Sequence, residues 1–139
     1  WGQNHPVEFP QNEDFIAGTP FCHAPCMVRR DAYQAVNGYT DDPRYLRVED
    51  YDLWVKMYAA GFRGQNITEA LYAMRDDRNA FARRKFRYRI NEFRIHIKAA
   101  RLLHLSLKAY LYAFRPIAVG LIPERIYKIL HQKSLKRNG

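Results

Sequence analysis

Residues 49–54 read Glu-Asp-Tyr-Asp-Leu-Trp, and this acidic and aromatic hexamer opens the clearest helical pattern in the first half of the chain. Apolar residues recur at helical spacing as far as Ala60, and Gly61 follows the end of the pattern. We therefore predict a helix over residues 50–60. Acids in a first turn complement the helix dipole and cap free N–H groups, which is their ordinary structural role. A carboxylate held there can also act as a general base, because it is fixed in place and can accept a proton from a bound hydroxyl.

Composition limits the classes of protein to consider. The chain has 139 residues, enough for one domain, and its 47% hydrophobic and 27% charged residues are typical of a soluble protein. No run of about 18 apolar residues occurs, so we predict no membrane-spanning helix. Two cysteines are too few for a disulfide scaffold and suit a reducing, cytoplasmic compartment. The chain starts at Trp1 and shows no secretory leader, so we expect it to be a piece of a longer protein.

The net charge of +9 is unevenly distributed along the chain. Residues 1–79 contain eight Lys/Arg and 12 Asp/Glu, whereas residues 80–139 contain 15 Lys/Arg and only two acids. We treat these as two segments and expect the second one to meet an anionic partner. Phospholipid headgroups, nucleic acid and phosphorylated substrates all have suitable charge.

The second segment begins with a long helical pattern over residues 80–114, with a break marked by Ser106 and an end at Arg115-Pro116. Its apolar stripe consists of Phe86, Ile90, Phe93, Ile97, Ala100, His104, Leu107 and Leu111. A basic stripe lies about a quarter-turn away and consists of Arg84, Arg87, Arg94, Lys98, Arg101 and Lys108. Adjacent apolar and basic stripes are typical of helices at anionic membrane surfaces. A solvated face and a nucleic-acid site are the alternatives, although no RNA-binding motif or zinc module is present.

The remaining elements are shorter. We predict a helix over residues 31–36 that ends in a left-handed cap at Asn37-Gly38, and a last amphipathic helix over residues 124–135. Residues 17–28 and 65–73 are candidates for short strands. The predicted fold class is α+β and mainly helical. Exposed edges of such strands would favour a homo-oligomer.

Two further clusters contain chemically reactive side chains. Cys22-His23-Ala24-Pro25-Cys26 has too few ligands at the spacing that zinc requires, so we predict buried strand cysteines and no metal site. The loop Arg75-Asp76-Asp77-Arg78 is either a solvated set of ion pairs or a place where an arginine contacts phosphate.

Taken together, these motifs occur in an order that resembles the C-terminal half of a family 2 glycosyltransferase of the GT-A fold, of the type that builds bacterial surface polysaccharide. The resemblance covers about residues 17–94, and the hexamer 49–54 is its most specific part. The other matching elements are Thr19-Pro20-Phe21-Cys22-His23, Arg29-Arg30, Gly38-Tyr39, Ala60-Gly61-Phe62, Ile67-Thr68-Glu69-Ala70-Leu71-Tyr72 and Arg75.

The resemblance implies a role for several side chains. Asp50 would be the catalytic base that deprotonates an acceptor hydroxyl, which then attacks a nucleotide sugar with inversion. Glu49 would orient the acceptor or a loop, and Asp52 would contact substrate. Arg75 would contact a phosphate of donor or acceptor. His23 would either lie near the acceptor cleft or be a buried imidazole with satisfied hydrogen bonds.

The chain also departs from the family pattern. The nucleotide-binding half and its Asp-x-Asp metal motif are missing, because Asp50-Tyr51-Asp52 lies inside the base-bearing element. We therefore expect residues 1–79 to be the acceptor-side part of a Rossmann-like GT-A domain, residues 80–139 to be a basic helical extension, and the chain alone to be inactive. A Mg²⁺ or Mn²⁺ ion would be held mostly by ligands outside this chain, and the enzyme would be peripheral at the inner face of the plasma membrane. The alternative is a non-catalytic basic module that binds anionic membrane or nucleic acid.

Overall fold

The computed structural model describes residues 6–73 and 85–122, and this part of the chain is built mainly from helices. Two short 3-10 turns, at Asn12–Phe15 and Pro43–Tyr45, precede helices in the first segment. The described residues contain five α-helices: α1 (Arg30–Ala35), α2 (Glu49–Ala59), α3 (Phe86–Leu102), α4 (Leu107–Ala113) and α5 (Arg115–Gly120).

Helix α2 confirms the prediction made from the hexamer to within one residue at each end. Its apolar side chains are buried, with Leu53 only 1% exposed and Val55 fully enclosed. The helix stops because Gly61 adopts a φ of 89°, which lets the N–H of Phe62 reach back to the carbonyl of Met57 at 3.0 Å.

Helix α1 also ends as predicted. Asn37 and Gly38 both have a φ of 55°, and the N–H of Gly38 donates to the carbonyl of Tyr33 at 2.9 Å. A Cβ at Gly38 would lie 2.6 Å from the Tyr33 ring, so the turn requires glycine both for its backbone angle and for space.

In its described part, the predicted long helix over residues 80–114 is two helices, α3 and α4. Helix α3 ends at Leu102, His104 has a left-handed φ of 54°, and Ser106 immediately precedes α4, as the sequence indicated. The predicted end at Arg115-Pro116 is confirmed to within one residue, because α4 ends at Ala113, but a further short helix that the sequence did not indicate, α5, begins at Arg115. Proline is tolerated in a first turn, where its missing N–H would have no helical partner. The predicted helix over residues 124–135 lies outside the described residues.

The buried face of α3 differs in phase from the predicted apolar stripe. The buried side chains of this helix are those of Asn91, Ile95, Ala99 and Ala100. Ala100 is the one member of the predicted stripe that is buried, and both of its ends, Phe86 and Leu111, are exposed. The reason is that α3 packs against α2, α4 and α5. These neighbouring helices, and not the spacing of apolar residues alone, determine which face of α3 is buried.

The two predicted strands are absent from residues 6–73 and 85–122, and this prediction was wrong. Residues 17–28 contain Pro20 and Pro25, which have no N–H to donate to a ladder. In residues 65–73, the N–H of Asn66 donates to the carbonyl of Glu8 at 2.8 Å, but this contact does not extend into a ladder. The expectation of a homo-oligomer was based on exposed strand edges, which these residues do not form. The homo-oligomer and the GT-A fold both stay predictions.

One hydrophobic core takes side chains from both segments. Phe15 and Leu53 from the first segment pack in the same cluster as Ile95 and Leu103 from the second. The side-chain amide of Asn12 adds a hydrogen bond to the carbonyl of Leu103 at 3.2 Å. Within the described ranges, none of the helices has the length and apolar character needed to cross a membrane.

Candidate active site

A cleft of about 500 Å³ opens at the N-terminus of α2. Its lining residues come from three places: the turn around residue 23, the loop between α1 and α2, and the first turn of α2. These residues are His23, Tyr39, Arg47, Glu49 and Asp50. The structure therefore brings together three of the predicted site residues, Asp50, Glu49 and His23, and adds Tyr39 and Arg47 to them.

Asp50 is held by its own helix. Its Oδ1 accepts the backbone N–H of Tyr51 at 2.8 Å, and the side chain is half-buried at the cleft wall. Among the described residues no donor reaches its Oδ2. Glu49 precedes it and is exposed. One carboxylate oxygen is thus anchored while the other is left for a bound molecule, which is the arrangement a general base needs.

Tyr39 and His23 contact each other at the wall of the cleft. The Tyr39 hydroxyl lies 3.1 Å from Nε2 of His23, and the two rings meet edge to face with centroids 6.0 Å apart. Burial raises the pKa of Tyr39, and the negative charges of Asp50 and Glu49 add to this effect. The phenol consequently stays protonated at neutral pH and can donate a hydrogen bond in the cleft.

His23 is an exposed side chain, so the alternative of a buried imidazole was wrong. Its ring lies against Trp54, with centroids 6.1 Å apart, and Trp54 in turn packs on Phe21 at 5.4 Å. Trp54 is 7% exposed, and its Nε1 has no hydrogen-bond partner among the described residues. The indole therefore forms an apolar base beneath the imidazole.

The cysteines beside His23 are not buried in a strand, and that prediction was wrong. Cys22 is exposed and Cys26 is half-buried. The Cys26 thiol donates to the Cys22 carbonyl at 3.0 Å, within a turn that has no sheet to cover it. Burial raises the pKa of Cys26, and the charges of Cys22 and Asp50 raise it further, so this thiol is a poor nucleophile at neutral pH.

The cleft residues do not form a set of metal ligands. Across residues 6–73 and 85–122, no three His, Cys, Asp or Glu side chains are grouped as a metal ion would require. Glu49, Asp50 and His23 thus do not fit a divalent cation by themselves. A Mg²⁺ or Mn²⁺ ion remains an expectation for ligands outside this chain.

Asp52 does not line the cleft. Its side chain is 0% exposed and is surrounded by three donors. Lys98 Nζ binds Oδ1 at 2.5 Å, the Thr40 hydroxyl donates to Oδ2 at 2.5 Å, and Lys56 Nζ lies 3.6 Å from Oδ2. Lys56 also donates to the Gly38 carbonyl. The structure therefore places the predicted substrate contact Asp52 inside a polar cluster that joins α2, α3 and the loop after α1.

Lys98 points inward, unlike its neighbours in the predicted basic stripe. Burial alone would lower the pKa of its ammonium group, but hydrogen bonds to Asp52 and to the Tyr45 hydroxyl outweigh burial and raise it. The Tyr45 hydroxyl accepts at 3.2 Å, and the ammonium lies 4.6 Å from the centre of the Tyr45 ring. Lys98 is thus engaged inside the fold and not presented to an outside anion.

The other predicted anion-binding residues on α3 and α4 lie at the surface. Arg87, Arg94, Arg101 and Lys108 are exposed. Arg84 and Arg75 lie outside the described residues, so their predicted roles stay predictions. Leu107, Leu111 and Phe114, in and directly after α4, are also exposed.

Sequence reasoning missed Tyr39 and Arg47 as cleft residues. Tyr39 directly follows Gly38, which has a left-handed backbone conformation. A partly covered tyrosine after such a helix cap is only a weak signal of function. Arg47 has a left-handed φ of 77°, and its guanidinium lies 6.0 Å from the centre of the Tyr88 ring on α3. An arginine two residues before the acidic pair was the available signal.

Two known proteins are similar to this chain over most of its length. A Bacillus subtilis (strain 168) protein named "Putative glycosyltransferase EpsE" is 41% identical over 126 residues, which cover 91% of this chain and 45% of that protein. An Escherichia coli UDP-Gal:alpha-D-GlcNAc-diphosphoundecaprenol beta-1,3-galactosyltransferase is 28% identical over 121 residues, which cover 86% of this chain and 43% of the enzyme. The chain thus spans less than half the length of either relative.

These similarities support a glycosyltransferase family for this chain. No protein-family model matches the sequence. No solved structure matches it either.

Proposed function

We propose that this chain is the acceptor-side part of a family 2 glycosyltransferase of the GT-A fold. The enzyme would transfer a sugar from a nucleotide-sugar donor to a lipid-linked or polysaccharide acceptor, with inversion at the anomeric carbon. Two relatives named as glycosyltransferases support the class of enzyme. The observation that carries the mechanism is the position of Asp50, anchored at the wall of the cleft with one oxygen facing no protein donor.

The proposed step uses Asp50 as the general base. Its carboxylate takes the proton of an acceptor hydroxyl while the hydroxyl oxygen forms a bond to the anomeric carbon of the donor sugar. The bond between that carbon and the nucleotide diphosphate breaks, and the diphosphate leaves with the electron pair. General bases of this kind typically contribute about 10²–10⁴-fold to the rate.

The neighbouring cleft residues would position the acceptor. Tyr39 remains protonated and can donate a hydrogen bond to a sugar oxygen, while the adjoining His23 ring can donate or accept one. Glu49 would orient the acceptor or the loop before α2. Arg75, which lies outside the described residues, would contact a phosphate group.

The proposed acceptor class follows from the Escherichia coli relative, whose name gives a sugar on diphosphoundecaprenol as the acceptor and UDP-Gal as the donor. An acceptor of this kind is a lipid, so the enzyme would work at a membrane surface. We place it at the inner face of the plasma membrane, where exposed Arg101 and Lys108 would face anionic headgroups. Each basic side chain near such a surface contributes about 1 kcal/mol.

The nucleotide-binding half and a divalent metal site would lie outside this chain. The chain spans 45% of the Bacillus subtilis relative. We therefore propose that the chain alone does not catalyse transfer.

The proposal is tested by Asp50→Asn in the full-length protein that contains this chain, with turnover of nucleotide sugar as the readout. We expect a loss of at least about 10²-fold, while nucleotide binding is nearly unchanged. Asp31→Asn is the matched control, because Asp31 is exposed in the first turn of α1 and its Oδ1 accepts the N–H of the next residue at 2.9 Å. An Asp50→Asn variant that keeps more than about a tenth of the turnover would rule out the general base.

A non-catalytic basic module is the second candidate, and the exposed basic residues of α3 and α4 favour it. Such a module would bind anionic vesicles or DNA without any transfer activity in the full-length protein. Flotation with anionic liposomes and a DNA gel shift distinguish its two possible partners. Turnover by the full-length protein excludes this candidate.

A further inference from the structure

A second groove, of about 270 Å³, lies between α3 and the loop after α1. Three arginines line it, Arg44 from the 3-10 turn and Arg87 and Arg94 from α3. Carbon-rich side chains, those of Pro43, Leu46 and Ile90, form most of the rest of its wall, and the amide side chain of Asn91 completes it. The groove therefore combines a concentration of positive charge with an apolar lining.

The positive charge in the groove is only partly neutralised. Arg44 forms an ion pair with Asp42 at 2.6 Å, and hydrogen bonds from Arg44 hold the pKa of Asp42 down at about 2. Arg94 adds to this lowering by its charge. Among the described residues, neither Arg87 nor Arg94 forms an ion pair of its own. The single carboxylate of Asp42 thus balances only part of the charge of the three guanidinium groups in the groove.

The groove is a built feature of the fold. Arg87 and Arg94 lie seven residues apart, so they occupy the same side of α3 two turns from each other. Between them, Asn91 is 5% exposed, and its amide donates to the carbonyls of Pro43 and Leu46, both at 3.1 Å. This pair of hydrogen bonds fixes the loop against the helix and sets the distance between the arginines and the apolar wall.

The groove adjoins the cleft of Asp50. Leu46 lines the groove and its neighbour Arg47 lines the cleft, so one turn of the loop is a shared wall. If the anionic group of a bound molecule lies in the groove, the part of the molecule that is attached to this group lies beside the cleft.

We propose that this groove binds the diphosphate of a lipid-linked acceptor, with the first part of the lipid chain along Pro43, Leu46 and Ile90. The inference rests on the proposed function and specifies the lipid-linked one of its two acceptor classes. Guanidinium groups bind phosphate oxygens through paired N–H donors, and three of them suit the two phosphates of a diphosphate. The apolar wall favours a prenyl chain over a nucleoside as the group attached to it.

The test is a calorimetric titration of the 139-residue chain with farnesyl diphosphate, a water-soluble prenyl diphosphate. We expect it to bind at least about tenfold more tightly than inorganic diphosphate, and farnesol to bind negligibly, because both parts of the ligand contribute. UDP provides the second source of a diphosphate, and vesicles of phosphatidylglycerol provide a lipid headgroup. Equal or tighter binding of UDP, or full competition by the vesicles, would overturn the assignment.

Variants locate the binding. The double variant Arg87→Gln/Arg94→Gln should weaken farnesyl diphosphate binding by at least about tenfold. Arg29→Gln/Arg30→Gln removes the same charge from exposed positions outside the groove and should leave binding unchanged. Circular dichroism checks that each variant is folded. Equal weakening of binding by the two double variants would show a general charge effect and refute the site. If Arg87→Gln/Arg94→Gln does not fold, the single variant Ile90→Ser, which changes the apolar wall, decides whether the groove is the binding site.

Failure of this inference and failure of the proposed function give different results. Asp50→Asn should bind farnesyl diphosphate like the wild type, because Asp50 is not in the groove. Loss of transfer in Asp50→Asn with no effect of the groove arginines on binding would retain the general base and reject the groove. Specific binding in the groove together with full turnover in Asp50→Asn would retain the groove and reject the general base.

Discussion

Asp50 and Asp52 belong to the same hexamer, yet they occupy opposite environments. Asp50 is half-buried at the wall of the cleft, and its one hydrogen bond among the described residues comes from the helix itself. Asp52 is completely enclosed, with Lys98 and Thr40 as hydrogen-bond donors and Lys56 close by. Two residues along a helix correspond to a rotation of about 200°, so the two carboxylates point away from each other.

The comparison shows that one acidic motif contains two kinds of carboxylate. A carboxylate without a protein cation can accept a proton from a ligand, whereas one paired with lysines inside the fold is committed to structure. The Asp52 cluster holds Thr40 and Gly38, which flank Tyr39 in the loop. Asp52 therefore acts on the cleft indirectly, through the position of that loop.

The largest expected effect on stability is at Asp52. Asp52→Asn removes the charge that balances two lysines in the interior and should lower the free energy of unfolding by about 3 kcal/mol. Asp50→Asn should lower it by less than about 1 kcal/mol, since only an interaction with the helix dipole is weakened. Urea unfolding of the 139-residue chain measures both. Similar losses in the two variants would remove the distinction between the two carboxylates.

A smaller effect is expected at Lys98. Lys98→Met should lower the free energy of unfolding by about 2 kcal/mol. This is less than the loss expected when a fully buried ion pair is broken, because the Lys98 side chain is 27% exposed and solvent screens part of its charge. Arg101→Met on the same helix is the control, and its exposed position predicts a change below about 0.5 kcal/mol. If the two variants unfold at the same urea concentration, the inward role of Lys98 is refuted.

The smallest effect concerns His96, a titratable residue of α3 whose side chain is half-buried. Burial lowers its pKa below the usual 6.5, and the charge of Arg115 lowers it further. The unfolded chain therefore takes up a proton at a higher pH than the folded chain does. Stability should fall as the pH drops below about 6.5.

His96→Gln should remove this part of the acid sensitivity. Its ring lies between those of Tyr51 and Tyr112, with centroids 5.3 and 5.7 Å away. Melting temperatures measured at pH 7.5 and pH 5.5 provide the comparison. An identical fall in the wild type and the variant would show that other groups cause the acid sensitivity.

The sequence was sufficient for features determined by near neighbours. Helix α2, the cap at Asn37-Gly38 and the break before α4 each depend on residues within a few positions, and all three predictions are confirmed. Asp50, Glu49 and His23, which were selected from the resemblance in the order of motifs, line one cleft, and their roles there stay predictions.

Features that depend on distant partners could not be predicted. Lys98 has the same spacing as the exposed arginines, and nothing local distinguishes it, because its partner Asp52 lies 46 positions earlier. The second groove needs Arg44 beside Arg87 and Arg94, which only the packing of the loop on α3 brings about. The strand predictions failed for a related reason: a β-favouring segment forms a strand only where a neighbour pairs with it.

The pairing of Asp52 with Lys98 has a consequence for recombining related proteins. Each segment supplies half of an ion pair and part of one hydrophobic core, so residues 1–79 and 80–139 are not interchangeable modules. A chimaera that takes the two segments from different parents will fold well only when the parents match at both positions. Shuffling experiments should therefore place crossovers before α2 or after α3, and an exchange that separates the pair should include the compensating residue.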